Sequence, residues 1–464
     1  MKPLVPSVIA LALIGVVASG LVVLHDSATA MPTQTWAPAT EDRSREAFGQ
    51  PLPGLPDALR DAFFRGRTLF RQNWVIAPSR DTEVDGLGPL HNRISCIACH
   101  NGNGKGHAPN GPGERARALL LRLSVDGQDK HGGPRPHPVY GDQLNEDSIP
   151  GVPPEGRVRV SWQEKIVKLA DGEPVSLRRP SIAIDEPGYG PLGPAQVSAR
   201  IGPGVFGLGL LESVEIQTLK DLAAESRSTG MQGRLNIVYD AASNRQIPGR
   251  YGLKSNRSTL RDQIAAAMHG DLGITTTLMP AQNCTPVQSA CRSQPHGGMP
   301  ELTDTQLDDL EVYLAWLAPP APRPAASAAV KAAVLRGQAA FGAMGCAACH
   351  RPELPLGKHH LLGDLSGQRI AAYTDLLLHD MGEDLADHRP DFLASGREWR
   401  TPPLWGISLL HMMNDRVGYL HDGRARTVQE AILWHGGAAA VARDRYATAP
   451  REERQALLEF VESR

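Results

Sequence analysis

RGQAAFGAMGCAACH, residues 336–350, decides how this chain is read, because its last five residues repeat a pattern met much earlier. The earlier copy is SCIACH, residues 95–100. Together they supply Cys96, Cys99 and His100, then Cys346, Cys349 and His350. Cys-x-x-Cys-His is the attachment pattern for c-type haem. Two thiols at this spacing can each bond one vinyl group on a porphyrin edge, and the next residue swings its imidazole to the iron. A redox Cys-x-x-Cys pair needs no histidine after it, and a zinc site needs four ligands at closed spacing. The sequence therefore predicts two covalently bound haems c, with His100 on the first iron and His350 on the second.

The remaining cysteines, Cys284 and Cys291, lie in QNCTPVQSACRSQPHGG, a loop rich in turn residues. Outside the cytoplasm such a pair predicts a structural disulfide; a functional thiol pair is the alternative. The N-terminus predicts that setting. Lys2 precedes an apolar run from Val8 to Leu24, and Ala28-Thr29-Ala30 has a small-x-small cleavage pattern. Residues 1–30 read as a signal peptide or a membrane anchor, and the rest as exported, to the periplasm in a Gram-negative cell. A net charge of -2 gives no electrostatic case for nucleic acid or an anionic membrane as partner.

The 464 residues are enough for two or three domains. RGRTLF (Arg65–Phe70) precedes the first haem motif as RGQAAF (Arg336–Phe341) precedes the second. Each half also closes with an apolar helical pattern, Leu302–Leu317 and Arg451–Arg464. The Pro/Ala/Ser-rich stretch 318–330 reads as a linker. The expected domains are thus 45–317, a haem c domain with an insert, and 331–464, a cytochrome c domain. With 47 glycines and 38 prolines, the surplus from Leu120 to Gln294 is expected to be loops and extra helices over the first haem. The predicted fold class is mainly α: two cytochrome-c-like haem domains with a large loop-rich insert in the first.

Near the C-terminus, YLHDGRARTVQEAILWHGG (Tyr419–Gly437) holds His421 at an Asp-Gly turn and His435 fourteen positions on. Thr427-Val428-Gln429-Glu430 has the form of a capping box, so a short helix should start there and carry His435 near its end. A favourably placed basic group at a helix end is the simplest reading of His435.

Seven segments resemble the di-haem oxidoreductase family, related to the bacterial di-haem cytochrome c peroxidases and to the enzyme that matures methylamine dehydrogenase. They are GLGPLHNRISCIACHNGNGKG, YGDQLNEDSI, VSARIGPGVFGLGLLESV, GRYGLKSNRSTLRDQIAAAMHGDLGITT, YTDLLLHDMGEDLAD, WRTPPLWGIS and YLHDGRARTVQEAILWHGG. The resemblance implies one haem that relays electrons and one that meets peroxide. It places the distal ligand of the second haem at His435, beside the proximal His350, and keeps His421 near the haem edge. It puts the acidic residue over the first haem at Asp271, with Glu212 as a second candidate and His269 close by. In relatives Ca2+ can sit between the domains, although no loop here spells a dedicated calcium site. One departure stands out: the tryptophan that relatives place between the haems is Leu253 here, so electrons must tunnel or use another aromatic such as Tyr251. His379, Met381, Trp399, Arg400 and Trp405 are weaker candidates, Arg400 as a partner for a haem propionate.

The function expected is peroxidase-like. Electrons from a soluble or membrane donor would enter through the C-terminal haem, and the N-terminal haem would reduce hydrogen peroxide. The alternatives are an electron-transfer protein without substrate chemistry, and an oxidase or oxygenase of an organic or protein substrate.

Overall fold

Two helix crossings organise the molecule, and each uses the glycine of an RG…F repeat. In this computed structural model, which describes Met1 and residues 35–464, the helix Asp57–Arg71 crosses the helix Asp304–Trp316 at Gly66. A Cβ at Gly66 would collide with the Asp309 carbonyl. The helix Ala328–Ala343 crosses Arg451–Glu462 at Gly337 in the same way, where a Cβ would strike the Ala456 carbonyl. The repeat's phenylalanines then face the haem motifs: Phe70 lies 6.2 Å from the His100 ring and Phe341 6.4 Å from that of His350. Tyr313 and Phe460, from the crossing helices, pack on the same phenylalanines. We expect Gly66→Ala and Gly337→Ala each to destabilise the fold by about 1–3 kcal/mol through overpacking, measured as a lower denaturation midpoint with an unchanged m-value.

The helices begin where side chains can cap them. Ser327 accepts from the Val330 N–H, Thr259 from Asp262, and Thr303 forms a full capping box with Gln306. The helix Leu260–Leu272 ends at Gly273 with φ 69°, a left-handed cap that glycine tolerates. The helix Ala328–Ala343 starts inside the 318–330 stretch, whose Ala318 and Ala321 N–H groups bond back to Gln50 and Thr40.

The expectation of a mainly α protein is wrong. Among the described residues helix accounts for 31% and strand for 20%, with several small antiparallel sheets, so the fold is mixed α/β. Much of the strand lies where loops and helices were expected, within Leu120–Gln294. Leu119–Gln128 pairs with Gln196–Ile201, and Arg157–Lys168 forms a hairpin with Pro174–Asp185, each strand twelve residues long. The signal was present in RVRVSW, residues 157–162: Val158 and Val160 are buried and Arg157 and Arg159 exposed, the period-two alternation of a half-buried strand. Glycine and proline content masked it, because these residues mark the turns between the strands.

Thr35–Arg464 forms one compact unit by its contacts. The long hairpin reaches from the first half onto the last helices: Arg178 donates to the Arg424 and Gly423 carbonyls, and Arg454 pairs with Asp171 and Glu173 in the hairpin turn. The apolar run Val8–Leu24 and the cleavage pattern at Ala28–Ala30 lie outside the described residues. Among those that are described, no helix is long and apolar enough to cross a membrane. Cys284 and Cys291 form the expected disulfide.

Candidate functional site: two haem motifs and their surroundings

Each Cys-x-x-Cys-His motif forms a short 3-10 turn directly before its histidine, Cys96–Ala98 and Cys346–Ala348. None of the four motif cysteines is in a disulfide. His100 Nδ1 lies 2.7 Å from the Pro203 carbonyl oxygen and His350 Nδ1 3.0 Å from that of Tyr373. A carbonyl at Nδ1 fixes the tautomer and leaves Nε2 for a metal. Gly202 presses on the His100 ring so closely that a Cβ there would sit 2.9 Å from it. Two thiols and one oriented imidazole, twice over, fit haem iron and its porphyrin edge.

Thr427 caps the helix Val428–Trp434 by accepting from the Glu430 N–H, and His435 is its C-cap residue. The reciprocal half of the expected capping box is absent, because the Glu430 carboxylate accepts from the Arg426 N–H instead and pairs with its guanidinium. His435 Nδ1 lies 2.7 Å from the Ala431 carbonyl oxygen, so its Nε2 is also left over. Burial, and then the proximity of His435, press the His350 imidazole down to about 4. Burial likewise lowers His435. Two neutral imidazoles with available Nε2 atoms thus lie near each other at the second motif.

The first motif has different company. Asp271, at the end of the helix Leu260–Leu272, lies near Cys96, Cys99 and His100 and acts on all three electrostatically. Its Oδ1 accepts from Gln143 Nε2 at 2.7 Å. Burial raises its pKa, against the opposing charge of Arg122 and the Gln143 bond. Glu212 is elsewhere. Its carboxylate accepts from the Leu260 N–H at 3.1 Å and meets His359 Nε2 at 3.1 Å. Burial alone would raise Glu212, but His359 and the Leu260 N–H hold it below its usual range. Leu260 and Asp271 stand at opposite ends of one helix, about 16 Å apart at 1.5 Å per residue. The two carboxylates therefore do not share a site. His269 Nε2 lies 3.1 Å from the Ala281 carbonyl oxygen.

Between the motifs lies an aromatic stack. Trp399 and His421 are parallel, with centroids 3.7 Å apart and planes 9° from coincidence. Burial lowers His421 to about 4, so it stacks as a neutral ring. Trp399 is the strand partner of His379, whose Nδ1 is 3.7 Å from Cys349 Sγ. On the other side, the His421 carbonyl accepts from Ile201, next to the Gly202 that presses on His100. Leu253 precedes Lys254, whose fully buried ammonium lies 4.5 Å from the centre of a Trp399 ring. Tyr251 donates its hydroxyl to the Leu208 carbonyl. Arg400 donates to the Gly252 and Thr401 carbonyls, Trp405 packs on Gly207, and the Met381 backbone runs beside Gly436.

A model of a known family matches residues 33–464, and its description is "Di-haem oxidoreductase, putative peroxidase". The chain belongs to the di-haem oxidoreductase family. No curated protein matches it. Among solved structures, a chain of Kuenenia stuttgartiensis hydrazine synthase, pressurised with xenon, is similar at 14% identity with a TM-score of 0.32. That match covers 98% of this chain and all of the other, and at this TM-score it carries no argument about fold or chemistry.

For a di-haem oxidoreductase, the residues that sequence reasoning overlooked are Gln143, Gly202 and Asp375. Gln143 and Gly202 lie in segments that carry the resemblance, YGDQLNEDSI and VSARIGPGVFGLGLLESV, but their partners are far away along the chain, so spacing does not single them out. Asp375 did have a signal, its i,i+4 spacing to His379 in TDLLLHD. Cys349, Asp375 and His379 form the one group among the described residues whose ligand atoms lie close enough together for a metal ion.

Proposed function

We propose that this protein is an exported di-haem c-type oxidoreductase of peroxidase type, in which the second haem relays electrons and the first reduces hydrogen peroxide. The observation that carries the reading is an asymmetry. At the second motif a further imidazole, His435, is available near His350; at the first, the nearby side chain is a carboxylate with a raised pKa, Asp271. Haem attached through Cys96 and Cys99, and through Cys346 and Cys349, would supply iron that accepts and passes electrons.

The chain's own residues do the rest. Pro203 and Tyr373 orient the proximal imidazoles through their carbonyls. His435 would hold the second haem's iron together with His350, which would favour electron storage over substrate binding there. Asp271 takes a proton from one peroxide oxygen and returns it to the other, work that needs a pKa near ambient pH, and burial moves it that way. Gln143 holds Oδ1, leaving Oδ2 to carry the proton. With leucine at position 253, the Trp399–His421 stack takes the place of an inter-haem aromatic; Lys254 above the ring disfavours a cation radical there, so it serves as a tunnelling bridge. The electron donor is a soluble or membrane-bound redox protein of the same compartment.

The test is spectroscopic. The half-reduced protein should show one low-spin and one high-spin haem, and the high-spin signal should respond rapidly to peroxide. Two persistently low-spin haems without turnover would sink the proposal.

A further inference from the structure

Lys254 is fully buried, and one loop encloses its ammonium. Nζ donates to Asp387 Oδ1 at 2.7 Å, to the Arg389 carbonyl at 2.8 Å and to the Ser395 carbonyl at 2.9 Å. A Trp399 ring, with its centre 4.5 Å from Nζ, covers a further side. An ordinary buried ion pair needs only the carboxylate. Here two backbone carbonyls from opposite limbs of the loop also turn inward, which is how proteins build an oxygen shell around a cation. The loop is shaped for this. Its base is closed by the Asp387 N–H on the Gly396 carbonyl, and its tip by reciprocal bonds between Asp391 and Ala394. His388 and Phe392 take left-handed φ values of 56° and 55°, a cost that non-glycine residues bear where their surroundings impose it. Gly396 packs on the His388 backbone with no room for a Cβ.

We propose that residues 387–395 form a binding loop for a singly charged cation of ammonium size, and that Lys254 supplies this cation from within the chain. Two observations set the charge and the size. Arg200 and Arg389 already flank the loop's acids: both pair with Asp391, and Arg200 also lies 4.0 Å from Asp387. A doubly charged ion in the place of the ammonium would meet two guanidiniums with one carboxylate already taken. The three Nζ distances also exceed the roughly 2.3–2.6 Å at which calcium holds oxygen. Lys254 is therefore a tethered ion that cannot dissociate. It fastens the loop to residue 254 and, through Asp387 Oδ2, which accepts from Ser198, to the strand Gln196–Ile201. Lys254 and Arg200 both stand against Trp399, at 4.5 and 5.9 Å from ring centres, so the clamp also holds the ring that stacks on His421.

The experiment is chemical rescue of folding stability in the purified full-length protein. The readout is independent of the peroxidase reading. Lys254→Ala empties the shell, and Lys254→Met refills it with an apolar chain that leaves no room for an ion. Unfolding is followed in urea, because guanidinium is itself a cation. Burial lowers the Lys254 ammonium to about 8, so the pH is 7, where it is charged. Chlorides of ammonium, choline and calcium are compared at equal ionic strength. Both variants should unfold at lower urea than the wild type, since each strands the Asp387 carboxylate. Ammonium should raise the Lys254→Ala midpoint, with the folding equilibrium improving about tenfold for each tenfold rise in ammonium above its Kd. Wild type and Lys254→Met should respond to ammonium no more than to choline. If Lys254→Ala does not stay folded, its refolding yield from urea becomes the readout, and ammonium should restore it where choline does not. The proposal is overturned if ammonium and choline act alike on Lys254→Ala, which leaves a plain ion pair. It is also overturned if Lys254→Met is rescued equally, which reports a general salt effect, or if calcium rescues better than ammonium, which makes the shell a divalent site.

Discussion

His435→Ala should convert the second haem from a low-spin to a high-spin signal and leave the first haem's spectrum unchanged. The expectation follows from how the helix Val428–Trp434 ends. The Ala431 carbonyl takes His435 Nδ1, so Nε2 is the atom left to ligate. His350, which responds electrostatically to His435, has its own Nδ1 taken by Tyr373. An iron held by both imidazoles is six-coordinate and low-spin; alanine removes one ligand and opens the site. The second haem should also become reactive toward small external ligands such as imidazole, and added imidazole should restore the low-spin signal. An unchanged spectrum in His435→Ala would mean that His435 only ends its helix.

Asp271→Asn should slow the peroxide reaction by about 10²–10⁴-fold, the usual worth of a positioned acid-base group. Asparagine keeps the shape and a partner for Gln143 but cannot accept the proton. The pH profile separates this from a structural effect. Burial raises the Asp271 pKa, so in the wild type the reaction should fall off as pH drops through that raised value, where the carboxylate is already protonated. Asp271→Asn should lack this acid limb altogether. Glu212→Gln should leave the limb in place, because Glu212 lies beside the far end of the helix Leu260–Leu272 and is occupied by His359 and the Leu260 N–H. A rate loss in Glu212→Gln equal to that in Asp271→Asn would contradict the separation of the two carboxylates.

The two Cys-x-x-Cys-His motifs were legible in the sequence because such a motif is local. Thiol spacing and the adjacent histidine are set within five residues, and so is the cap that starts the His435 helix. The RG…F repeats were legible too, and the structure gives their reason: the glycine lets one helix cross another, and the phenylalanine one turn on faces the motif's histidine. The β content was less legible. Alternation in Arg157–Lys168 is a real signal, but it was outweighed by glycine and proline that turn out to punctuate strands rather than to make loops.

What the sequence by itself determined is chemical identity: two Cys-x-x-Cys-His motifs, a disulfide pair and a histidine at a helix end, all fixed by spacings of a few residues. What only the tertiary structure decided is company. Asp271 and Glu212 are similar acids in sequence, but a rigid helix of thirteen residues holds them apart and leaves only Asp271 beside the first motif. Leu253 removed one aromatic from the chain's reading, and the fold stacked Trp399 on His421 instead. His379 was a weaker candidate in the sequence, and only packing set it with Asp375 beside Cys349. Electrostatics acts through space and weakens with distance and solvent, so which charges matter depends on the folded contacts rather than on position along the chain.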